Sequence, residues 1–213
     1  CANFIFFYFN IHLFIIFLKK KLMSTNIALF ASGKGTNAEK ICLFFSEYSD
    51  VNISLVCSNN KCSPVFNLAR KMRISSYFID GFSKETSKKT CSFLLKKNID
   101  YVVLAGFLLK IPSSIVNLYP NKIINIHPSL LPNYGGKGMY GKRIHKEVIE
   151  NNEKESGITI HYVNENYDEG AIIYQHKYQL SKKETVVSLS KKIQELEHAY
   201  YPVIIDKLIK KNL

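Results

Sequence analysis

The segment NIALFASGKGTN, residues 26–37, decides the fold of this chain. Its first half, 26–31, is nearly all apolar, which is typical of a strand that helices cover on both faces. Its second half holds small residues and leads into an amphipathic run, so a strand passes through a glycine-containing turn into a helix. This order is the beginning of a βαβ unit, and such units build parallel sheets.

The rest of the chain repeats the alternation of short apolar runs with longer amphipathic ones. Further strand patterns lie at 52–58, 75–79, 101–105, 122–127, 158–163 and 171–178, and helical patterns at 37–46, 64–71, 84–97, 142–151 and 184–210. We therefore predict a single Rossmann-like α/β domain with a doubly wound, mostly parallel sheet. No helical pattern separates the last two strands, which predicts an antiparallel pair at the edge of the sheet.

The final helical pattern carries one apolar stripe. Val186, Leu189, Ile193, Leu196 and Tyr200 recur at steps of three and four residues, which predicts one buried face.

Composition excludes several classes of protein. With 46% hydrophobic and 13% aromatic residues among 213, the chain can bury a core and is not intrinsically disordered. Lysine and arginine outnumber acids by 29 to 17, but the lysines are spread over the predicted helix surfaces. A solvated surface is therefore favoured over a nucleic-acid partner. The five cysteines form no CxxC pair, which favours free thiols in the cytoplasm, and no histidine spacing indicates a metal site.

Residues 1–22 differ from everything that follows. They contain FIFFYFNIHLFIIFL and then three lysines, and the first methionine is Met23. A secretory signal would place its charge before the apolar run. A membrane anchor with cytoplasmic lysines is an open alternative. We favour a third interpretation, in which 1–22 are translated upstream sequence or an apolar leader and the domain spans 23–213, with no membrane partner.

The glycine-containing turn after the first strand predicts an anion site. Small residues let backbone N–H groups approach a phosphate at the start of a helix. With Ala38, the turn also matches the G-x-G-x-x-A pattern of dinucleotide-binding proteins. Those proteins place an acid at the end of the second strand, where this chain has Ser58 and Asn59, and Asp50 lies before that strand instead. A phosphate site is favoured over a dinucleotide site, and a tight turn without a ligand is the alternative.

Two further segments carry polar residues at predicted strand ends. In NIHPSLLP, 125–132, the two-residue period of a strand places Asn125 and His127 on one face. An amide and an imidazole side by side could donate two hydrogen bonds to a developing oxyanion. In NENYDEG, 164–170, Asp168 could approach His127 and favour its charged form. A structural histidine and an exposed acidic loop are the alternatives.

Four segments together resemble the glycinamide ribonucleotide formyltransferase family. They are SGKGTN at 32–37, LAGFLLKIP at 104–112, NIHPSLLP at 125–132 and NYDEG at 166–170. The resemblance implies formyl transfer from 10-formyltetrahydrofolate, as co-substrate, to the amine of a phosphoribosylglycinamide in purine synthesis. It also implies small-molecule substrates, no metal, and a cytoplasmic monomer or homodimer.

The resemblance also implies a role for individual residues. Those implied for catalysis are Asn125, His127 and Asp168. Those implied to bind the ribonucleotide are Gly33, Lys34, Gly35, Thr36, Asn37, Gln194 and Glu197. Those implied to bind the folate are Lys84, Leu108, Leu109, Lys110, Ile111 and Asn125. The chain departs from the family at Lys84, where an arginine is common, and at YGGKGMYG, 134–141, which suggests a mobile loop near the folate.

Overall fold

The described residues form seven strands and six helices. The computed structural model describes residues 24–47 and 50–212, so the prediction for residues 1–22 lies outside the described part. The strands are β1 (Thr25–Phe30), β2 (Val51–Ser58), β3 (Ser75–Phe78), β4 (Tyr101–Leu104), β5 (Ile123–His127), β6 (Glu155–Tyr162) and β7 (Ile172–Gln179). The helices are α1 (Thr36–Ser46), α2 (Val65–Lys71), α3 (Lys84–Lys96), α4 (Ser113–Leu118), α5 (Lys142–Glu150) and α6 (Val186–Asn212).

All seven strands belong to one sheet, in the order β3-β2-β1-β4-β5-β6-β7. The strands β1 to β5 pair in parallel, whereas β6 is antiparallel to β5 and β7 is antiparallel to β6. The predicted fold class and the predicted antiparallel edge pair are both confirmed. The chain winds in one direction from β1 to β3 and in the other from β4 onward, so the order reverses between β1 and β4.

The core lies on both faces of the sheet, as the apolar run at 26–31 predicts. Along β1, Ile27 and Leu29 pack into one cluster of buried side chains, and Ala28 and Phe30 pack into the other. Side chains of α1, α5 and α6 complete the first cluster, and those of α3 and α4 complete the second. Because both faces are covered, the polar ends of the strands are where a ligand can reach the sheet.

Two details differ from the sequence-based expectations. The six-residue helix α4 was not predicted, because it is too short to show a period and buries only Ile115. In α6, the buried face continues from Leu196 to Tyr201 rather than to Tyr200. Tyr200 is half-buried and stacks instead on His176 of β7, with ring centroids 4.4 Å apart.

Candidate active site

A cleft of about 750 Å³ opens at the carboxyl ends of β1, β4 and β5. This is the point at which the strand order reverses, where open α/β sheets commonly bind their ligands. The loops after β1 and β4, the end of β5, the segment before α5, the loop between β6 and β7, and one side of α6 all line it.

The turn after β1 forms one wall of the cleft. Gly35 precedes α1 with a φ of 75°, in the left-handed region that favours glycine, and a Cβ on it would lie 3.1 Å from Val65. From the loop after β2, the Ser63 hydroxyl donates to the Gly33 carbonyl at 2.9 Å. Gly33, Lys34 and Asn37 line the cleft. The start of α1 therefore lies at the cleft, and the predicted anion site in this turn stays a prediction.

Helix α6 places two predicted residues opposite this turn. Glu197 accepts a hydrogen bond from Asn37 Nδ2 at 2.9 Å, and Gln194 Nε2 donates to Thr36 Oγ1 at 3.2 Å. Burial in the cleft wall raises the pKa of Glu197 to about 7, which the Asn37 hydrogen bond opposes. The two residues share one helix face because they are three positions apart.

The hydroxyl of Tyr201 anchors α6 to the two strands β4 and β5. Tyr201 is fully buried, and its Oη lies 3.0 Å from the carbonyl oxygens of Leu104 in β4 and Ile124 in β5. Burial raises the pKa of Tyr201 well above its usual range, so the hydroxyl keeps its proton and donates it. This contact holds the α6 turn that bears Glu197 against the sheet.

Asn125, His127 and Asp168 meet at the floor of the cleft. His127 Nδ1 lies 3.5 Å from Asp168 Oδ2. His127 Nε2 donates to the Tyr134 carbonyl at 2.8 Å, since a carbonyl oxygen only accepts. The Nε2 proton is therefore engaged by the Tyr134 carbonyl in this structure. Asp168 has a φ of 56°, a conformation uncommon outside glycine that aspartate tolerates better than most residues.

His161 is a member of this group for which the sequence analysis gave no role. In the antiparallel register of β5 and β6 it lies opposite Asn125. Its Nδ1 donates to the Tyr162 carbonyl at 2.8 Å, and Asn125 Nδ2 lies 3.0 Å from its Nε2. Burial lowers the pKa of His161, so the neutral ring accepts one Asn125 N–H and leaves the other for a ligand. The pairing register of β5 and β6 brings this histidine to the site, and that register cannot be read from the sequence.

The segment 134–141 lines the cleft rather than bordering it from outside. The Gly136 N–H donates to Asp168 Oδ2 at 2.9 Å, and Lys137, Met139 and Tyr140 line the cleft. His145, on the first turns of α5, also lines it. Burial, and then the nearby His127, lower the pKa of His145 to about 4, so this imidazole is neutral.

The residues predicted to bind folate are placed unevenly. Leu108 lines the cleft, whereas Ile111 is buried in the core beside α4 and Leu109 packs against that core. Lys110 lies with its Nζ 5.8 Å from the ring centroid of Tyr167, a cleft residue. Lys84 is the first residue of α3, is exposed, and is not among the cleft-lining residues. The predicted folate contacts of Leu109, Lys110, Ile111 and Lys84 stay predictions.

The charges in the cleft favour anionic ligands. Lys34, Lys137 and Lys142 line it, and none of the three forms an ion pair with another described residue. Over residues 24–47 and 50–212, no group of three or more histidine, cysteine or acidic side chains could hold a metal ion.

Other features of the described part bear on the alternatives from the sequence. The loop after β2 presents Asn59, whose Oδ1 accepts from Ser32 Oγ, where a dinucleotide site would place an acid. Cysteines 42, 57, 62 and 91 are free. No helix in this part has both the length and the apolar character needed to cross a membrane.

Comparison with known proteins assigns a family. The formyl transferase family model matches residues 25–205. The chain is 35% identical over 193 residues to the chloroplastic phosphoribosylglycinamide formyltransferase of Arabidopsis thaliana, covering 88% of this chain and 66% of that protein. It is 32% identical over 190 residues to phosphoribosylglycinamide formyltransferase of Bacillus subtilis, covering 87% of this chain and 95% of that protein.

A solved structure agrees with both relatives. The crystal structure of phosphoribosylglycinamide formyltransferase from Bacillus halodurans superposes with a TM-score of 0.80 at 33% identity, covering 89% of this chain and 97% of that one. Sequence similarity and structural similarity thus assign the domain that contains this cleft to the same family. The chain belongs to the formyl transferase family, in which the relatives described are phosphoribosylglycinamide formyltransferases.

Proposed function

We propose that this protein transfers the formyl group of 10-formyltetrahydrofolate to the primary amine of N1-(5-phospho-D-ribosyl)glycinamide, a step of purine synthesis. The observation that carries the proposal is the convergence of Asn125, His127 and Asp168 in the cleft that the SGKGTN turn also lines. An anion site and a group of oxyanion donors in one cleft fit a phosphorylated amine that attacks a carbonyl carbon. The names of the relatives support the same reaction.

The phosphate of the ribonucleotide is proposed to bind at residues 33–37. The N–H groups at the start of α1 point toward this position, and Lys34 adds a positive charge. Gln194 and Glu197 then contact the ribose and the glycinamide part from α6. Leu108 and the neighbouring loop residues line the folate side, where Phe107, Met139 and Tyr167 add apolar area for a flat ring.

The proposed reaction is direct attack without a covalent enzyme intermediate. The neutral amine nitrogen forms a bond to the formyl carbon, and the formyl oxygen becomes an oxyanion in the tetrahedral intermediate. Collapse then breaks the bond between this carbon and N10 of the folate, so the amine loses a proton and N10 gains one. Free cysteines are not required in any of these steps.

The oxyanion is proposed to receive two hydrogen bonds. One comes from the Asn125 N–H that His161 leaves free, and the other from His127 Nε2, where the oxyanion replaces the Tyr134 carbonyl. The Asp168 carboxylate faces the other nitrogen of His127 and stabilises its charged form. Loss of one such donor commonly raises a barrier by about 3–4 kcal/mol.

The location and assembly of the protein are also proposals. Four free thiols among the described cysteines support a reducing compartment such as the cytoplasm. The cleft is complete within one chain, which is compatible with a monomer or a homodimer acting on small molecules.

The test is a deformylation assay. The purified protein is given 10-formyltetrahydrofolate with and without the ribonucleotide, and appearance of the deformylated folate is followed by absorbance. We expect turnover only with both substrates, and a loss of about a hundredfold or more in kcat for His127→Ala. No turnover with both substrates present would refute the proposed function.

A further inference from the structure

We propose that Ser32 is a positioning residue that couples the two substrate sides of the cleft. Although Ser32 belongs to the turn after β1, its hydroxyl holds the loop after β4, so its loss should weaken folate binding more than ribonucleotide binding. This inference rests on the proposed function, because it assigns the folate to the Leu108 side of the cleft.

Three polar contacts of Ser32 carry the inference. The side chain is 6% exposed. Its Oγ donates to Asn59 Oδ1 at 2.5 Å and accepts the Leu108 N–H at 2.9 Å. Its own N–H donates to the Gly106 carbonyl at 3.0 Å. One residue therefore joins the ends of β1, β2 and β4.

The direction of these hydrogen bonds explains the coupling. A serine hydroxyl has one proton and two lone pairs, so donation to Asn59 turns a lone pair toward the Leu108 N–H. Leu108 lines the cleft together with Gly106 and Phe107 of the same loop, and Leu108 is 52% exposed. Without the hydroxyl, the Leu108 N–H loses its acceptor and the loop loses a contact that fixes its distance from β1.

Ser63 provides a matched control, because it contacts the same turn from the loop after β2. It is also buried, and its hydroxyl donates to the Gly33 carbonyl at 2.9 Å. No hydrogen bond of its side chain reaches the loop after β4 within the described chain. Ser32→Ala and Ser63→Ala thus remove the same group from opposite sides of one turn, and only the first removal touches Leu108.

The first measurement is steady-state kinetics with each substrate varied in turn. For Ser32→Ala, we expect KM for 10-formyltetrahydrofolate to rise about three- to tenfold and KM for the ribonucleotide to rise less than twofold, the change expected for one hydrogen bond. For Ser63→Ala, the larger change should fall on the ribonucleotide. Asn59→Ala leaves the Ser32 hydroxyl in place but removes the acceptor that orients it. This variant should raise KM for 10-formyltetrahydrofolate by a smaller factor than Ser32→Ala does.

The second measurement does not depend on activity. Amide hydrogen exchange at Leu108 should be at least about tenfold faster in Ser32→Ala than in Ser63→Ala, and the exchange of the strand amides should be unchanged. Ser32→Thr keeps the hydroxyl and should restore both the exchange rate and the folate KM.

The outcomes separate the two proposals. If the unsubstituted protein has no turnover, the proposed function is wrong, and the exchange rate at Leu108 still tests the hydrogen bond. If the unsubstituted protein turns over but Ser32→Ala changes both KM values equally, or if Asn59→Ala leaves the folate KM unchanged, the coupling is wrong.

Discussion

The proton positions of three side chains determine what the cleft floor can donate. His161 is held in one tautomer by the Tyr162 carbonyl, and it orients the Asn125 amide through its other nitrogen. His127 donates from Nε2 to the Tyr134 carbonyl, and its Nδ1 lies 3.5 Å from Asp168 Oδ2. The result is a pair of oriented donors, one amide and one imidazole, on neighbouring inward positions of β5.

Replacement of Asp168 tests the role of its charge. Asp168→Asn keeps the shape of the side chain and an oxygen for the Gly136 N–H, but removes the negative charge beside His127. We expect kcat to fall about a hundredfold while the affinity for the ribonucleotide changes less than threefold. Steady-state kinetics and calorimetric titration measure the two quantities.

Glu169 supplies the control for this substitution. It is the adjacent carboxylate, is exposed, and accepts a hydrogen bond from Asn166 rather than facing a histidine. Glu169→Gln should therefore retain nearly full turnover. Normal turnover of Asp168→Asn would contradict the charge-pairing role.

Glu197 predicts a pH dependence of stability. Its pKa is raised from 4.5 to about 7 in the folded protein, so between these values the folded state binds a proton that the unfolded state has lost. The free energy of unfolding therefore falls as pH rises from about 4.5 to about 7, by up to about 3 kcal/mol for this group. In Glu197→Gln this contribution is absent.

Urea unfolding at pH 5 and pH 8 measures this effect. The difference between the two pH values should be smaller in Glu197→Gln than in the unsubstituted protein. Glu195→Gln, on the exposed part of the same helix turn, should leave the difference unchanged. Equal pH dependence in all three proteins would show that Glu197 titrates normally.

At the scale of secondary structure elements, α6 connects the sheet to the wall of the cleft that faces the turn after β1. Its buried face packs on the core, and the Tyr201 hydroxyl reaches carbonyl oxygens of β4 and β5. The position of Gln194 and Glu197 relative to the turn after β1 therefore depends on how this helix packs on the sheet.

Tyr201→Phe removes the hydrogen bonds that hold α6 to the sheet but keeps the aromatic ring. The helix should therefore be held less firmly, without a cavity in the core. We expect a loss of about 1–2 kcal/mol in the free energy of unfolding, and a larger rise in KM for the ribonucleotide than for the folate. Tyr119 offers a control, since its Oη is buried with no hydrogen-bond partner among the described residues. Tyr119→Phe should be neutral or slightly stabilising, and a Tyr201→Phe protein of unchanged stability would contradict the anchoring role.

Elements differed in how far the sequence could predict them. The strand β4 and the second half of β1 are continuous apolar runs and were predictable, because burial on both faces leaves little room for polar side chains. In β2, the apolar residues 55–57 gave the same signal. The helix α4 was not, since one buried residue in six positions gives no period. The identity of the partner opposite Asn125 depends on a register that hydrophobic pattern does not specify.

The position of a site residue was predictable where the residue lies at or just after a strand end. It was not predictable where the position depends on the path of a long connecting segment. Asn125 and His127 lie at the end of a predicted strand, and the 33–37 turn follows another, so their position at one sheet edge followed from topology. His145 was not expected in the cleft, because its helix begins beyond a glycine-rich segment whose path cannot be read from local pattern. The same reason applies to Lys84, which begins α3 after the loop that follows β3.

At the scale of the whole molecule, the place of β1 in the sheet bears on the predicted start of the domain at Met23. The first described strand starts at Thr25, and it lies in the centre of the sheet between β2 and β4. A chain that begins at Met23 should therefore have the same kcat/KM and the same thermal midpoint as the full chain.

Kinetics and thermal unfolding of the two proteins, purified in parallel, test this prediction. A shortened protein that unfolds at a lower temperature or turns over more slowly would show that residues 1–22 contribute to the domain.

The hydrogen bond between Asn37 and Glu197 joins residues 160 positions apart. On the ribosome, domains fold from the amino-terminal side as the chain is made. The turn after β1 is therefore synthesised early, and α6, which lines the cleft beside it, is synthesised only after almost the entire domain. Because α6 supplies Ser190, Ile193, Gln194 and Glu197 to the cleft, a chain that ends before α6 lacks one wall of the cleft and should have no activity.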